Sequence, residues 1–502
     1  MAFEQLVFRR QFIAGPRYVA WLPGWNRLKI NDNLFITSHP DISVTMVRED
    51  QKCVVVLGFI LDPFHPARDN RGVITNMLRE MNSVDDIFGM VDTKGGRYVL
   101  IAEAENRSVA LNDSAGFREL FYHRDENGNL WCASQPSLIA ENCKGKIDYE
   151  LRDALYSLTL FTKSVEYWYP GGYSIYKNIF HLLPNHYLCL RGGVVKRFWP
   201  SKAIEHCPFD RCVENVCDLL KGMTESALNR FDFAMAVTAG LDSRMVLSAC
   251  RDFPHTPFYF THTHGELSCN DPDITIPAEM LKTLGLNYSV IKHYCDVDPE
   301  FATIMNRNVT TARLNKIQNS YTMHQFFRQQ QLQQMVVVNG VGGEMTRNFY
   351  FVPSSIKITG PLLAKIAYMN GCSVVEDAFS AWLGDAAQRV EKHNHVLDLF
   401  YWEQRMGNWA AMSYSEYDTA FESFSPLNCR KLVEFTMGVK PALRNPPDFR
   451  LNRAVVATLW PELLNWPINP APNLFRAALR RFKRSPAHSA LKMVKMALPL
   501  NF

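Results

Sequence analysis

Two short glycine turns, each leaving an apolar strand, constrain this chain more than any other feature. The first, Thr238-Ala239-Gly240-Leu241-Asp242-Ser243-Arg244, follows the apolar run Phe233–Val237 and opens a helical pattern from about Ser243 to Cys250. The second, Asn339-Gly340-Val341-Gly342-Gly343-Glu344, follows Met335–Val338. Around them, a helix-spaced stretch (Arg211–Asn229), two more strand patterns (Phe258–Thr263 and Tyr288–Ile291) and a helix near Ile276–Leu284 alternate along the chain. Strands that alternate with helices predict a parallel, doubly wound sheet. Turns at the C-terminal ends of strands in one such sheet face one crevice.

The residues of these turns suit a phosphate. A strand–turn–helix junction aims free backbone N–H groups and the positive helix end at one spot. Gly240 permits close approach, and Thr238 and Ser243 offer hydroxyl groups. Asp242 repels a bare phosphate and makes sense with Mg²⁺ between the two. Arg244 adds a fixed positive charge, and Glu344 a second acidic oxygen for the metal. No lysine follows the first turn, so it is not a P-loop. The competing reading is an ordinary strand–helix turn for the first, with Ser243 as helix cap, and a plain glycine loop for the second.

Residues 1–205 have a different character. Short β-branched runs (Val54–Ile60, Tyr98–Ala102), a hairpin at Tyr122–Arg124 and Asn129–Ala133, and a β-rich passage from Tyr169 to Trp199 predict a β-sandwich ending near Pro200. Residues 206–470 carry the alternating pattern and become mostly helical from about Leu363. Residues 471–502 form a basic tail with Arg476, Arg480, Arg481, Lys483, Arg484, Lys492 and Lys495. The net charge of +4 over 502 residues gives no reason to invoke nucleic acid. No membrane-length apolar run and no signal-peptide core are present, so a cytosolic protein is expected. The 12 cysteines show no CxxC pair and read as reduced.

The turn sequences carry a resemblance. TAGLDSR resembles the SGGxDS pyrophosphate loop of ATP pyrophosphatases, and NGVGGE resembles the G-x-G-x-D-E loop of asparagine synthetases. Asp273, in Asn270-Asp271-Pro272-Asp273, is similar to that family's S-x-D-x-x-x-A segment, with Ala278 one place off. Upstream, Asp113-x-x-Gly116 with Leu120-Phe121-Tyr122, Cys132 to Leu138, and Ile179–His186 followed by Arg197-Phe198-Trp199-Pro200 resemble family segments in the right order. The resemblance, to the asparagine synthetase, β-lactam synthetase and lasso-peptide cyclase group, implies an N-terminal Ntn-hydrolase-like sandwich. It also implies an ATP-pyrophosphatase (adenine nucleotide alpha hydrolase-like) domain with a helical C-terminal part. It implies ATP and Mg²⁺, with Thr238, Ala239, Gly240, Leu241, Asp242, Ser243, Asn339 and Gly340 at the nucleotide and Asp242 and Glu344 on the metal. Asp242, Arg244 and Glu344 would then act in catalysis.

The departures are informative. Ala2 stands where glutamine-using members carry a cysteine nucleophile, and alanine cannot attack an amide. Val341 replaces an acidic or tyrosine residue, and valine cannot move protons. Ala239 replaces a glycine, and Asn465–Pro470 lacks the family's closing lysine, which would stabilise charge at the acyl centre. Tyr414, Tyr417 and Glu422 are candidate replacements for proton handling, against a plainer reading as core aromatics and a solvated carboxylate. The expected function is an ATP-dependent synthetase that adenylates a carboxylate, releases pyrophosphate and couples or cyclises the acyl group with an amine, without glutaminase activity. The expected partners are a small-molecule or peptide carboxylate and amine, with a protein partner or homodimer as a further expectation. The alternatives are a catalytically inactive nucleotide-binding scaffold in a biosynthetic complex, and a membrane-surface or polyanion role for the tail.

Overall fold

The computed structural model describes residues 3–163, 167–253, 257–263, 270–294, 296–310 and 314–470. Ala2 and the basic tail lie outside the described residues.

Twelve strands between Phe12 and Arg197 form two six-stranded antiparallel sheets stacked face to face. The central strands Lys52–Leu61 and Gly95–Ala104 pair antiparallel over their full lengths and are buried almost end to end. Such continuous apolar runs follow from covering both faces of the sheet. Side chains alternate between faces. Val55 and Leu57 therefore meet Phe12, Ile36 and Ala14 of the opposing sheet. Val54 and Val56 instead meet Ile74 and Met77 of the helix Asn70–Glu80. On the far side, Ile13, Trp131 and Ala133 pack on Leu138 and Ile139 of the helix Pro136–Cys143. The result is a helix–sheet–sheet–helix sandwich. The expected hairpin is present as Phe121–Arg124 paired with Leu130–Ala133. The helix Asn70–Glu80 is an addition to the sequence reading; Asp69 caps it through the Gly72 N–H at 2.8 Å.

The second sheet system is parallel. Its strands are β1 (Phe233–Ala236), β2 (Phe258–His262), β3 (Tyr288–Ile291), β4 (Val336–Val338) and β5 (Glu422–Phe424). They lie in the order β3-β2-β1-β4-β5, every neighbouring pair parallel. Helices α1 (Phe209–Leu228), α2 (Leu241–Ser248) and α3 (Pro272–Thr283) cover one face, where Leu220, Met245 and Met280 meet Met235 and Val338. Helix α4 (Pro299–Asn308) follows β3, and helix α5 (Leu314–Gln329) covers the other face, setting Met323 and Phe327 against Ala234, Phe260 and Val337. The sheet is doubly wound as expected. Its order reverses between β1 and β4, the switch point outside which such sheets bind ligands. Strand β5, three residues long, escapes the sequence pattern because it pairs only at its register with Val336–Val338.

A long helical passage follows. Helix His393–Phe400 runs on into a π-helical stretch, Tyr401–Ala410, and then into α6 (Ala411–Tyr417). Helix α7 (Arg450–Leu459) packs on α1 and α2. Among the described residues no helix is long and apolar enough to cross a membrane.

Candidate functional site

Both glycine turns leave the C-terminal ends of adjacent strands, β1 and β4, at the switch point. They touch each other. A Cβ on Gly340 would stand 2.6 Å from the Asp242 carbonyl carbon, and one on Gly343 would run into the Asp242 carboxyl. These glycines are thus required for the two turns to interlock, not to leave room for a ligand. Gly342, at φ +98, supplies the left-handed bend that starts the 3-10 turn Gly343–Thr346. Gly240, at φ −72, uses no such freedom.

Helix α2 begins at Leu241, two residues earlier than the sequence pattern suggests, with Gly240 as its cap residue and Ser243 inside its first turn. The Ser243 hydroxyl turns inward. It accepts from the Thr238 N–H at 3.2 Å and lies 3.1 Å from the Gly240 carbonyl. The Thr238 hydroxyl accepts from the Gly240 N–H at 3.2 Å. The Ala239 N–H donates to Asp273 Oδ1 at 3.0 Å, and the Ala239 carbonyl accepts from the Asn469 N–H at 3.1 Å. Asp273 therefore serves the turn as a backbone acceptor. Ala239 is outside the left-handed region, so its methyl is accommodated without strain. Leu241 is a core residue beside Met245 and Leu220, and its side chain contacts no ligand space.

Two expectations change here. Arg244 is fully buried and points away from the turn, donating to the carbonyls of Leu463 (3.0 Å), Trp466 (2.7 Å) and Pro467. It clamps the segment that carries Asn469 back onto Ala239, and it does not reach a phosphate. At Asp242 the cation is Arg347, which pairs with Oδ1 directly. Burial lowers the Arg347 pKa to about 10, which leaves the guanidinium charged at neutral pH, and it stacks 4.8 Å over the Phe449 ring. Glu344 begins one residue after Gly343 in the same 3-10 turn. No group of three or more His, Cys, Asp or Glu able to hold a metal stands among the described residues. With Asp242 already paired to arginine, these residues do not present a ready Mg²⁺ site.

Beside the second turn lies a crevice of about 180 Å³, walled by Phe260, Met323, Trp409, Tyr414, Tyr417 and Phe421, with Asn339 and Val341 on its edge. Asn339 Oδ1 accepts from the Tyr414 hydroxyl at 2.7 Å and the Val341 N–H at 3.1 Å, so Asn339 shapes the turn. Burial drives the Tyr414 hydroxyl far above its ordinary pKa. Tyr414 acts as a donor to Asn339, with no base role near neutrality.

Glu422, a third proton-handling candidate, belongs to a buried ion network. Arg97 binds Asp418 through both nitrogens (2.5 and 2.8 Å) and Glu422 at 2.9 Å. Arg118 binds Glu422 at 2.8 Å, and Arg10 donates to the Asp418 carbonyl at 2.5 Å. Burial pushes the Glu422 carboxyl up, but Arg118 and Arg97 outweigh it and hold the pKa at about 2. A carboxylate held so low is a permanent anion and a poor base. The network ties the sandwich to the crevice wall: Arg97 also stacks over Tyr414, and Phe117 lies flat on the same ring at 4.3 Å. Sequence reasoning missed Arg97, Arg118, Arg347 and Asp418. A signal for the first two was present, since Arg97 lies just past the Lys94–Gly96 turn and Arg118 between two matched segments.

In the sandwich, burial raises the thiols of Cys53 and Cys143, and pushes Cys132 up to about 12. Such thiols are not nucleophiles at neutral pH.

No family model matches the chain, and no curated protein matches it. Solved structures give distant likenesses, each at 10% identity. Glutamine phosphoribosylpyrophosphate amidotransferase from B. subtilis, complexed with ADP and GMP, aligns over 67% of this chain and 70% of its own at a TM-score of 0.24. NMN synthetase from Francisella tularensis aligns over 39% and 92% at 0.22. The allosteric regulatory enzyme of purine biosynthesis aligns over 75% and 74% at 0.26. TM-scores this far below 0.5 establish no kinship, and the site stands on its own geometry.

Proposed function

We propose that this chain activates a carboxylate with ATP and passes the acyl group to an amine. The observation that carries the reading is the interlocking of two glycine turns at the switch point of a doubly wound sheet, beside an aromatic crevice large enough for one ring-sized group. In the first step a carboxylate oxygen attacks the α-phosphorus of ATP, the bond to the bridging oxygen breaks, and pyrophosphate leaves. In the second an amine attacks the acyl carbon, AMP leaves, and the amine loses a proton. The polyphosphate would lie along the start of α2 and the 3-10 turn, with Arg347 as its fixed positive charge. Asp242 aims that guanidinium. The acyl group would occupy the crevice. Holding both reactants in place supplies much of the rate where no general base is at hand, as Val341 and the permanently ionised Glu422 leave it. The amine comes from the substrate or from solution, and the sandwich braces the crevice wall from behind, through Arg97 and Phe117 against Tyr414, and makes no ammonia.

A second reading, a scaffold without turnover, draws on the internal bonding of the Thr238, Ala239 and Gly240 N–H groups. Incubation of the purified protein with ATP, a carboxylate panel and an amine separates the two. AMP and pyrophosphate formed in step with amide support the synthetase. Intact ATP across the whole panel, or cleavage to ADP and phosphate, contradicts it.

A further inference from the structure

The crevice beside the second turn has an unusual charge. Its walls are mostly aromatic or aliphatic, with His262, Asn339, Ser413 and Ser423 as polar members; among the described residues none of its lining is Asp, Glu or Arg, and Lys316 carries its fixed charge. Lys316 lies in the first turn of α5 and, seven residues before Met323, shares that residue's helix face. Its ammonium sits 5.4 Å above the Tyr417 ring, and among the described residues no carboxylate lies within salt-bridge distance of it. The aromatic face offsets only part of the cost of holding an ammonium against apolar walls. A single positive charge among the described lining of a crevice of about 180 Å³, well under the ~300 Å³ of ordinary ligand pockets, selects a small monoanion with a flat or compact apolar body. A polyphosphate is too large and too highly charged for it.

We infer that the crevice binds an apolar monocarboxylate, with the body against Phe260, Met323 and Trp409 beside the stacked Tyr417–Phe421 pair, and the carboxylate on Lys316. This deepens the synthetase reading and rests on it for the use made of the bound acid. It also supplies an explanation for the lysine missing from Asn465–Pro470: the charge at the acyl group comes from α5.

The test uses calorimetric titration of the full chain, without nucleotide, with benzoate and phenylacetate as probes and benzamide as the neutral control. Lys316→Met and Lys316→Arg are compared with wild type, each shown to be folded by its thermal transition. Benzoate or phenylacetate should bind the wild-type protein at least tenfold more tightly than benzamide. Lys316→Met should lose that preference by tenfold or more, and Lys316→Arg should keep most of it. Equal binding of acid and amide, unchanged acid binding in Lys316→Met, or no binding of either acid would overturn the inference. A parallel ATP titration keeps the two claims apart. ATP binding without acid binding removes this inference alone; acid binding without ATP binding leaves the crevice and removes the synthetase reading.

Discussion

Asp242 and Arg347 are 105 residues apart in the chain and paired in the fold. Both are largely buried, so each would be costly alone. Removing one partner of such a pair leaves an uncompensated charge, at a cost of roughly 3–5 kcal/mol where burial is complete. Arg347→Met should therefore destabilise the protein by about 2–4 kcal/mol in denaturant unfolding, the lower figure reflecting residual exposure. The double variant Arg347→Met with Asp242→Asn should recover most of that loss, since the orphaned charge is gone. Additive losses in the double variant would show that the pair is not coupled. The sequence identified Asp242 and could not identify its partner, because only the closure of β4 against β1 brings Arg347 to it. Arg244 misled for the opposite reason. It is adjacent to the turn in sequence, yet the helix rotates its side chain onto the 463–467 carbonyls.

At the scale of elements, the strand β5 and the segment before it are held from the sandwich. Asp418 and Glu422 flank Phe421, a wall of the crevice, and answer to Arg97 and Arg118 across the junction. Arg97→Leu removes the bidentate partner of Asp418 and the support under Tyr414. It should cost on the order of 3–5 kcal/mol of stability and weaken binding of the benzoate-type probes, though it touches none of them. An Arg97→Leu variant as stable as wild type would mean that the network is not what anchors the wall. The alternating segments were legible because both periodicities are strong: Val54 to Leu57 alternate between two cores, and α1 shows a sustained apolar stripe. The strand β5 was not, since three residues carry no period. The helix Asn70–Glu80 was hidden inside a region dominated by strand signals.

On the scale of the whole molecule, two architectures share one junction, and the candidate site lies on the parallel-sheet side of it. The parallel, doubly wound sheet and the position of both turns followed from pattern and spacing, which is why the crevice could be anticipated. Its chemistry could not, since Lys316, Arg347 and the arginines of the sandwich converge only through long-range packing. In the proposed reaction nucleotide lies along the two interlocked turns, and the N–H groups of the first bond to Asp273, Thr238 and Ser243. Amide hydrogen exchange reads those groups directly. Exchange should be measured on the unmodified protein with and without saturating ATP. Nucleotide held there should slow exchange in Thr238–Arg244 and Asn339–Arg347 and leave the sandwich strands unchanged. Unaltered exchange in both turns at saturating ATP, or protection confined to another surface, would contradict it.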